Sequence, residues 1–375
     1  MPKKYNLSLA ALLLSSVAFG QSSTNLQPER WTAEAANNWY AKQAWPVGSN
    51  YLPSNAINEL EMWQAATFSP QRIDKELGWA QAIGMNTMRV FLQDLLWQQD
   101  QAGFKRRIDQ FLGIAAKHHI KPIFVLFDSC WDPMPHLGKQ HEPTPGVHNS
   151  GWVQSPGAKE LADENDYPKL QRYVEGVVGA FANDDRILAW DIWNEPDNGN
   201  GSSYAKLDPP NKKELVLALL PHAFAWARNA KATQPLTSGI WHENPAEPAT
   251  LSPMAKEQLE LSDVISFHSY ENALAFEAEV KWLQSYNRPL ICTEYMARPQ
   301  NSTFETILPI AKKYKVAAIN WGFVAGKSQT YLPWDSWQKP YLNGRVPEVW
   351  FHDVFRADGK PYRPAETAFI RKMTE

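Results

Sequence analysis

From about residue 45 the chain repeats one pattern: a short apolar run, a loop, then a stretch with apolar residues every three or four positions. The apolar runs at 45–50, 87–91, 122–128, 187–195, 235–241, 264–270, 289–295 and 317–324 are nearly continuous rather than alternating. Alternation marks a strand with one wet face. A continuous run marks a strand buried on both faces, as in a parallel sheet. The stretches between them, among them 104–118, 170–182, 213–232 and 304–314, carry the helical period. Eight strands, each followed by a helix and the last helix at 366–373, predict an α/β fold, a single-domain (β/α)8 TIM barrel over 45–375. An open doubly wound sheet would need a glycine-rich phosphate turn after its first strand, and Gly48-Ser49-Asn50-Tyr51 is not one. Segments 129–166, 196–212 and 325–362 are long, rich in Pro and Trp, and each follows a strand. Elaboration therefore gathers at the C-terminal face, where such barrels build their sites. Residues 21–44 are expected to cover the barrel from below or beside it.

The first twenty residues read as an address. Lys3 and Lys4 precede an apolar run at 7–19, and Ala18-Phe19-Gly20 offers small residues at the positions a signal peptidase reads, which predicts cleavage before Gln21. A membrane span needs about 20 apolar residues, and this run is shorter. The expectation is a secreted or periplasmic protein with no membrane attachment after cleavage. Its two cysteines, Cys130 and Cys292, are assigned to strands far apart in order. A disulfide needs Cα atoms within about 7 Å, so two buried free thiols are expected.

Composition narrows the partners. With 37 basic and 40 acidic residues the formal charge is −3, and no basic run offers a footprint for nucleic acid. The 17 Trp are more than a core needs; an indole offers a flat apolar face and a polar N–H, which suits a hydroxylated ligand such as a sugar. There is no G-x-S-x-G elbow and no metal-spaced histidine cluster, so neither cofactor nor metal is expected. His118-His119 is an adjacent pair on a helix, whose rings point apart, and is read as a surface feature.

Two carboxylates sharpen the picture. Glu195 ends the fourth strand in Trp190-Asp191-Ile192-Trp193-Asn194-Glu195-Pro196, and Glu294 ends the seventh in Leu290-Ile291-Cys292-Thr293-Glu294-Tyr295. Two strands separate them, so they face each other across the barrel mouth. One protonated and one ionised carboxyl in a cleft are the equipment of glycosidic cleavage. Apolar surroundings and the charge of Glu294 are expected to lift the pKa of Glu195.

With these motifs the chain resembles glycoside hydrolase clan A and, within it, family 5, the cellulase-type retaining β-glycosidases, over essentially the whole barrel. The resemblance implies that Glu195 is the acid/base and Glu294 the nucleophile. It implies that Asn194 bonds the sugar 2-hydroxyl, that Arg89 lies under the nucleophile, and that His268 and Tyr270 flank the carboxylates. Trp321 then floors the −1 sugar site. One departure follows strand three, where the family often carries a histidine. Here the run is Phe127-Asp128-Ser129-Cys130-Trp131-Asp132-Pro133, with His136 further on. Trp131, Asp128 and Asp132 are candidates for the missing contacts, with a turn or cap as the other role for Asp128. Trp241-His242-Glu243 and Trp334-Asp335 are expected as subsite walls. The reading is a metal-independent, monomeric, retaining β-glycosidase for cellulose-, xylan- or mannan-type chains. An exo-acting β-mannosidase or β-glucosidase, a transglycosylase on the same site, and an inactive carbohydrate-binding barrel stay open.

Overall fold

The computed structural model describes residues 1, 29–201, 203–243 and 250–375; the expected leader and its cleavage site lie outside the described residues. The apolar runs form eight strands: β1 (Val47–Asn50), β2 (Thr87–Phe91), β3 (Lys121–Asp128), β4 (Ala189–Asn194), β5 (Leu236–Thr237), β6 (Ile265–His268), β7 (Leu290–Glu294) and β8 (Ala317–Asn320). Helix α1 (Ala33–Tyr40) precedes them, and α2 (Glu59–Trp63) and α3 (Pro70–Ala82) follow β1. Then come α4 (Asp94–Lys117), α5 (Ala158–Ala162), α6 (Tyr167–Ala180), α7 (Lys212–Asn229), α8 (Pro253–Leu261), α9 (Ala273–Leu283), α10 (Phe304–Tyr314) and α11 (Pro364–Thr374). All ladders are parallel in the order β5-β4-β3-β2-β1-β8-β7-β6. A bridge between Ile240 and Phe267 joins the two ends of that order, so the sheet is a barrel.

The fifth strand is shorter than its apolar run suggests. Past Thr237 the backbone turns to side chains: Ser238 N–H donates to Ser262 Oγ at 3.1 Å and Gln258 Nε2 donates to the Gly239 carbonyl at 2.6 Å. Pairing resumes only at Ile240. The helix expected from residue 104 starts ten residues earlier, and a break at Asp100 explains the difference. Asp100 leaves the helical conformation (φ −158°, ψ 82°), and its carboxylate accepts from Gly103 N–H at 2.8 Å, capping the second half where the periodicity begins. His118 departs from its expected surface role. It is buried against α3, with Nε2 2.6 Å from Asp74 and Nδ1 2.8 Å from Gln81.

Packing divides the barrel into levels. Ile123, Leu188, Val264, Ile291 and Ile319 form an apolar floor, which Ala36 of α1 and the rings of Trp31, Trp39 and Tyr40 cover. A larger apolar shell fills the space between strands and helices. Above the floor the interior turns polar, with Asn50, Arg89, Asp191 and Asn320 all buried. At the top, Phe91, Val125, Cys130 and Trp152 pack beside Trp131 and Trp321. Gly48 is required for close contact: a Cβ there would lie 1.9 Å from the Thr87 carbonyl oxygen on the neighbouring strand.

Candidate active site

Strand register assembles the site. Asn50 pairs with Arg89 across β1 and β2, Asp128 with Asn194 across β3 and β4, and His268 with Glu294 across β6 and β7. The last pairing follows a register shift between Phe267 and His268. Such an irregularity re-aims a side chain, here bringing the imidazole level with the carboxylate. A cleft of about 260 Å³ opens above these residues, lined by Glu195, Glu294, His268, Tyr270, Asn194 and five tryptophans.

Arg89 is the hub. Its side chain is 1% exposed, and it reaches Asp191 at 2.8 Å, Asn50 Oδ1 at 2.9 Å, Asn194 Oδ1 at 2.7 Å and Glu294 Oε1 at 3.0 Å. A buried guanidinium needs compensating charge, and Asp191 and Glu294 supply two carboxylates. Tyr270 donates its hydroxyl to Glu294 Oε2 at 2.6 Å. Glu294 is thus gripped on both oxygens by donors, one from within β2 and one just past β6.

Glu195 is held differently. It stands one residue beyond β4 with φ 41°, the left-handed region in which a non-glycine side chain is strained. Its Oε1 lies 2.9 Å from His268 Nδ1, and its Oε2 accepts from Asn198 Nδ2 at 2.6 Å and from the Cys130 thiol at 3.2 Å. Nδ1 of His268 also lies 3.5 Å from Glu294 Oε2. With carboxylate oxygens as its neighbours, that nitrogen carries the hydrogen. Burial pushes the His268 pKa down to about 4, so the ring is neutral at ordinary pH.

Burial is also the first cause that raises both carboxyl pKa values. Of the two expected causes for Glu195, the apolar surroundings therefore come first. Burial outweighs the downward pull on Glu294 from His268, Arg89 and the Tyr270 hydroxyl. Glu294 has the guanidinium in direct contact, whereas Glu195 has no cation there.

The other expected residues divide into two sets. Trp321, Trp131 and Trp241 line the cleft, as does Trp334. Trp241 is fixed by its N–H to Asp197 at 2.8 Å, and His242 bonds the same carboxylate at 2.9 Å. Asn194 Nδ2 donates to Asp128 at 2.9 Å, and Asp128 also accepts from Trp152 Nε1 at 2.6 Å and Cys130 N–H at 3.0 Å. Asp128 therefore does both things expected of it, lining the site and fixing a turn. Asp132 and His136 fall outside the cleft: Asp132 caps Met134 N–H at 2.9 Å, and His136 is exposed and bonds the Leu137 carbonyl at 3.2 Å. Glu243 accepts from Ser252 at 2.8 Å. Cys130 and Cys292 are free and buried, but Cys130 sits two residues past β3 rather than in a strand.

Sequence reasoning missed Asn198, His148 and Trp152, and it saw Cys130 only as a buried thiol. Asn198 had a signal, three residues after Glu195 on the same turn. His148 and Trp152 come from the middle of a long loop, where no period marks a position. Among the described residues one group, Glu195, His268 and Glu294, converges closely enough to hold a metal, with one oxygen or nitrogen from each within 4.8 Å of the others. His268 already bonds the Glu195 oxygen, and Arg89 beside Glu294 disfavours a second cation.

No curated protein matches the sequence. Among solved structures the fold is similar to the endo-beta-1,4-mannanase from Thermotoga petrophila, at 14% identity over 89% of this chain and 77% of that one, with a TM-score of 0.55. It is also similar to the exo-beta-1,4-mannosidase Op5Man5 from Opitutaceae bacterium strain TAV5, at 16% identity over 88% of this chain and 58% of that one, with a TM-score of 0.57. The family 5 mannosidase from Rhizomucor miehei gives 12% identity, 87% and 91% coverage and a TM-score of 0.51. At such identities the likeness shows the barrel alone. The family model for Cellulase (glycosyl hydrolase family 5) goes further, matching residues 70–340, a span that holds both carboxylates and the hub arginine. With most of its length inside that model, the chain belongs to glycoside hydrolase family 5 and is an enzyme that hydrolyses glycosides.

Proposed function

We propose that the protein is an exported, retaining β-glycosidase in which Glu294 is the nucleophile and Glu195 the acid/base. The observation that carries this reading is the approach of the two carboxylates, an oxygen of one lying within 4.8 Å of an oxygen of the other. Retention needs carboxyl groups about 5–5.5 Å apart, whereas inversion needs about 6.5–9.5 Å to admit a water. In the first step Glu294 attacks the anomeric carbon and forms a glycosyl ester, while Glu195 gives its proton to the departing oxygen. In the second step Glu195 takes a proton from water, which displaces Glu294 and restores the configuration.

The surroundings suit each role. Arg89 and Tyr270 keep the Glu294 lone pairs directed and charged. Asn194 is clamped between Arg89 and Asp128, a fixed amide that suits the bond to the sugar 2-hydroxyl implied by the family. The indole of Trp321 offers a face for the apolar side of a pyranose. The N-terminal pattern of Lys3, Lys4 and the apolar run supports export. The printed activities of the structural relatives put β-1,4-mannosidic linkages first among candidate substrates, ahead of cellulose and xylan types. Proton NMR of the first-formed product from an aryl β-glycoside tests the mechanism. A β-anomer that later mutarotates is expected, and an α-anomer at the earliest time point overturns retention.

A further inference from the structure

The two ends of the cleft differ in what lies beyond them. Glu195 marks the glycosidic oxygen, so the leaving part of the substrate extends past Glu195 and the transferred sugar lies on the Trp321 side. This orientation rests on the roles proposed above. Beyond Trp321 the way is filled. Trp152 packs edge-on against Phe91 at 4.9 Å between ring centres and against Trp321 at 5.8 Å, and Phe91 meets Trp321 at 6.1 Å. The void behind them, over the ends of β1 and β2, measures about 20 Å³. That is room for about one water and none for a pyranose.

The plug is anchored. Trp152 is tied by its N–H to Asp128, 2.6 Å away at the end of β3. The segment leading to it is bonded to the loop after β8: Asn149 N–H to the Ser328 carbonyl at 2.8 Å, His148 N–H to Ser336 Oγ at 2.9 Å, and Gln329 Nε2 to the Thr144 carbonyl at 2.8 Å. Nδ1 of His148 lies 2.8 Å from the Leu332 carbonyl. Backbone and buried side chains join two loops into one wall, so opening it would leave several buried polar groups unpaired.

On the other side of Glu195 the cleft continues. Past Asn198 a second space of about 280 Å³ is bordered by Trp131, Trp334 and Trp337. Trp131 and Trp337 stack at 5.2 Å with planes 14° apart. One end has room for about one water and the other for further sugars.

We infer that the enzyme acts from the non-reducing end, removing one terminal β-glycosyl unit at a time and holding the remaining chain past Asn198 and Trp131. The wall behind Trp321 leaves no site for a sugar preceding the one transferred.

The test uses the unmodified enzyme on manno-, cello- and xylo-pentaose, β-1,4-linked and labelled at the reducing end. Aryl β-mannoside, β-glucoside and β-xyloside are run beside them. The expected result for the accepted series is monosaccharide release with labelled products shortening one unit at a time. Methylation of O4 on the terminal sugar should slow cleavage roughly 100-fold or more, the scale on which a closed pocket rejects added bulk. Labelled products of several lengths from the first time point, or equal cleavage of the blocked chain, overturn the inference. Hydrolysis of aryl glycosides with no oligosaccharide cleaved overturns the open leaving-group end. Failure on every substrate overturns instead the glycosidase reading beneath it. Trp152→Ala in a folded variant should add internal cleavage products to the ladder.

Discussion

The two carboxylates of the site belong to regions built in different ways. Glu294 is the last residue of β7; its partner Arg89 lies inside β2, and Tyr270 follows β6 by two residues. Glu195 lies just outside β4 in a left-handed conformation, and two of its partners, Asn198 and Cys130, come from loops. A strand end and a guanidinium rooted within the barrel hold Glu294, so its carboxylate has a fixed place and a cation beside it. Loop partners and a neutral imidazole hold Glu195 without a counter-charge, so its proton can leave and return. A nucleophile needs the first environment and an acid/base the second.

Substitutions can break this contrast. Glu294→Gln should lower kcat on every leaving group by on the order of 10^4-fold or more, because nothing else can form the covalent bond. Glu195→Ala should cost about 10^2- to 10^4-fold on natural glycosides, yet spare the first step with an activated aryl leaving group, which needs no proton. Azide should restore turnover of Glu195→Ala as β-glycosyl azide. Equal loss for both variants on all leaving groups would mean that the two roles are not divided between them, and sparing of aryl substrates in Glu294→Gln instead would mean that the roles are exchanged.

Arg89→Met should act on fold and chemistry together. It leaves Asp191 and Glu294 buried without their cation, a loss of about 3–5 kcal/mol read from the urea midpoint. The Glu294 carboxyl then loses the guanidinium that lowers its pKa, so the acid limb of kcat/KM should move to higher pH. A stable variant with an unmoved acid limb would show that Tyr270 alone keeps Glu294 ionised.

The smallest effect should come from Cys130→Ala. The thiol donates to the charged form of Glu195, a bond that lowers its pKa. Losing it raises the Glu195 pKa, so the basic limb of kcat/KM should shift to higher pH while kcat stays within roughly tenfold. Cys130→Ser keeps a donor and should keep the limb. An unchanged profile in Cys130→Ala would reduce the cysteine to packing.

The same division decides what could be read in advance. Strands were legible because burial on both faces makes them continuous apolar runs, and polar residues ending such runs, Arg89, Asn194, Glu294 and His268, stand out against them. Asp191 was visible in the same motif, yet its pairing with Arg89 depends on register across the barrel, which one strand does not encode. β5 was overread because an apolar run does not reveal that side chains of Ser262 and Gln258 claim its backbone groups. Trp152 and His148 act through contacts between loops about 180 residues apart in sequence, and such contacts leave no local period.

The bridge between Ile240 and Phe267 gives the barrel a seam. Elsewhere neighbouring strands share ladders, but here a single bridge closes the sheet, with Ile240 N–H to the Ser266 carbonyl at 3.2 Å, His268 N–H to the Ile240 carbonyl at 2.9 Å and, lower down, Asp263 N–H to the Leu236 carbonyl at 2.8 Å. Regions with few backbone bonds are the first to open in native fluctuations. The residue on the far lip of this seam is His268, whose ring touches both carboxylates. Breathing at this bridge therefore reaches the imidazole between the two carboxylates through the peptide group of His268. Heat should blunt catalysis before it unfolds the protein.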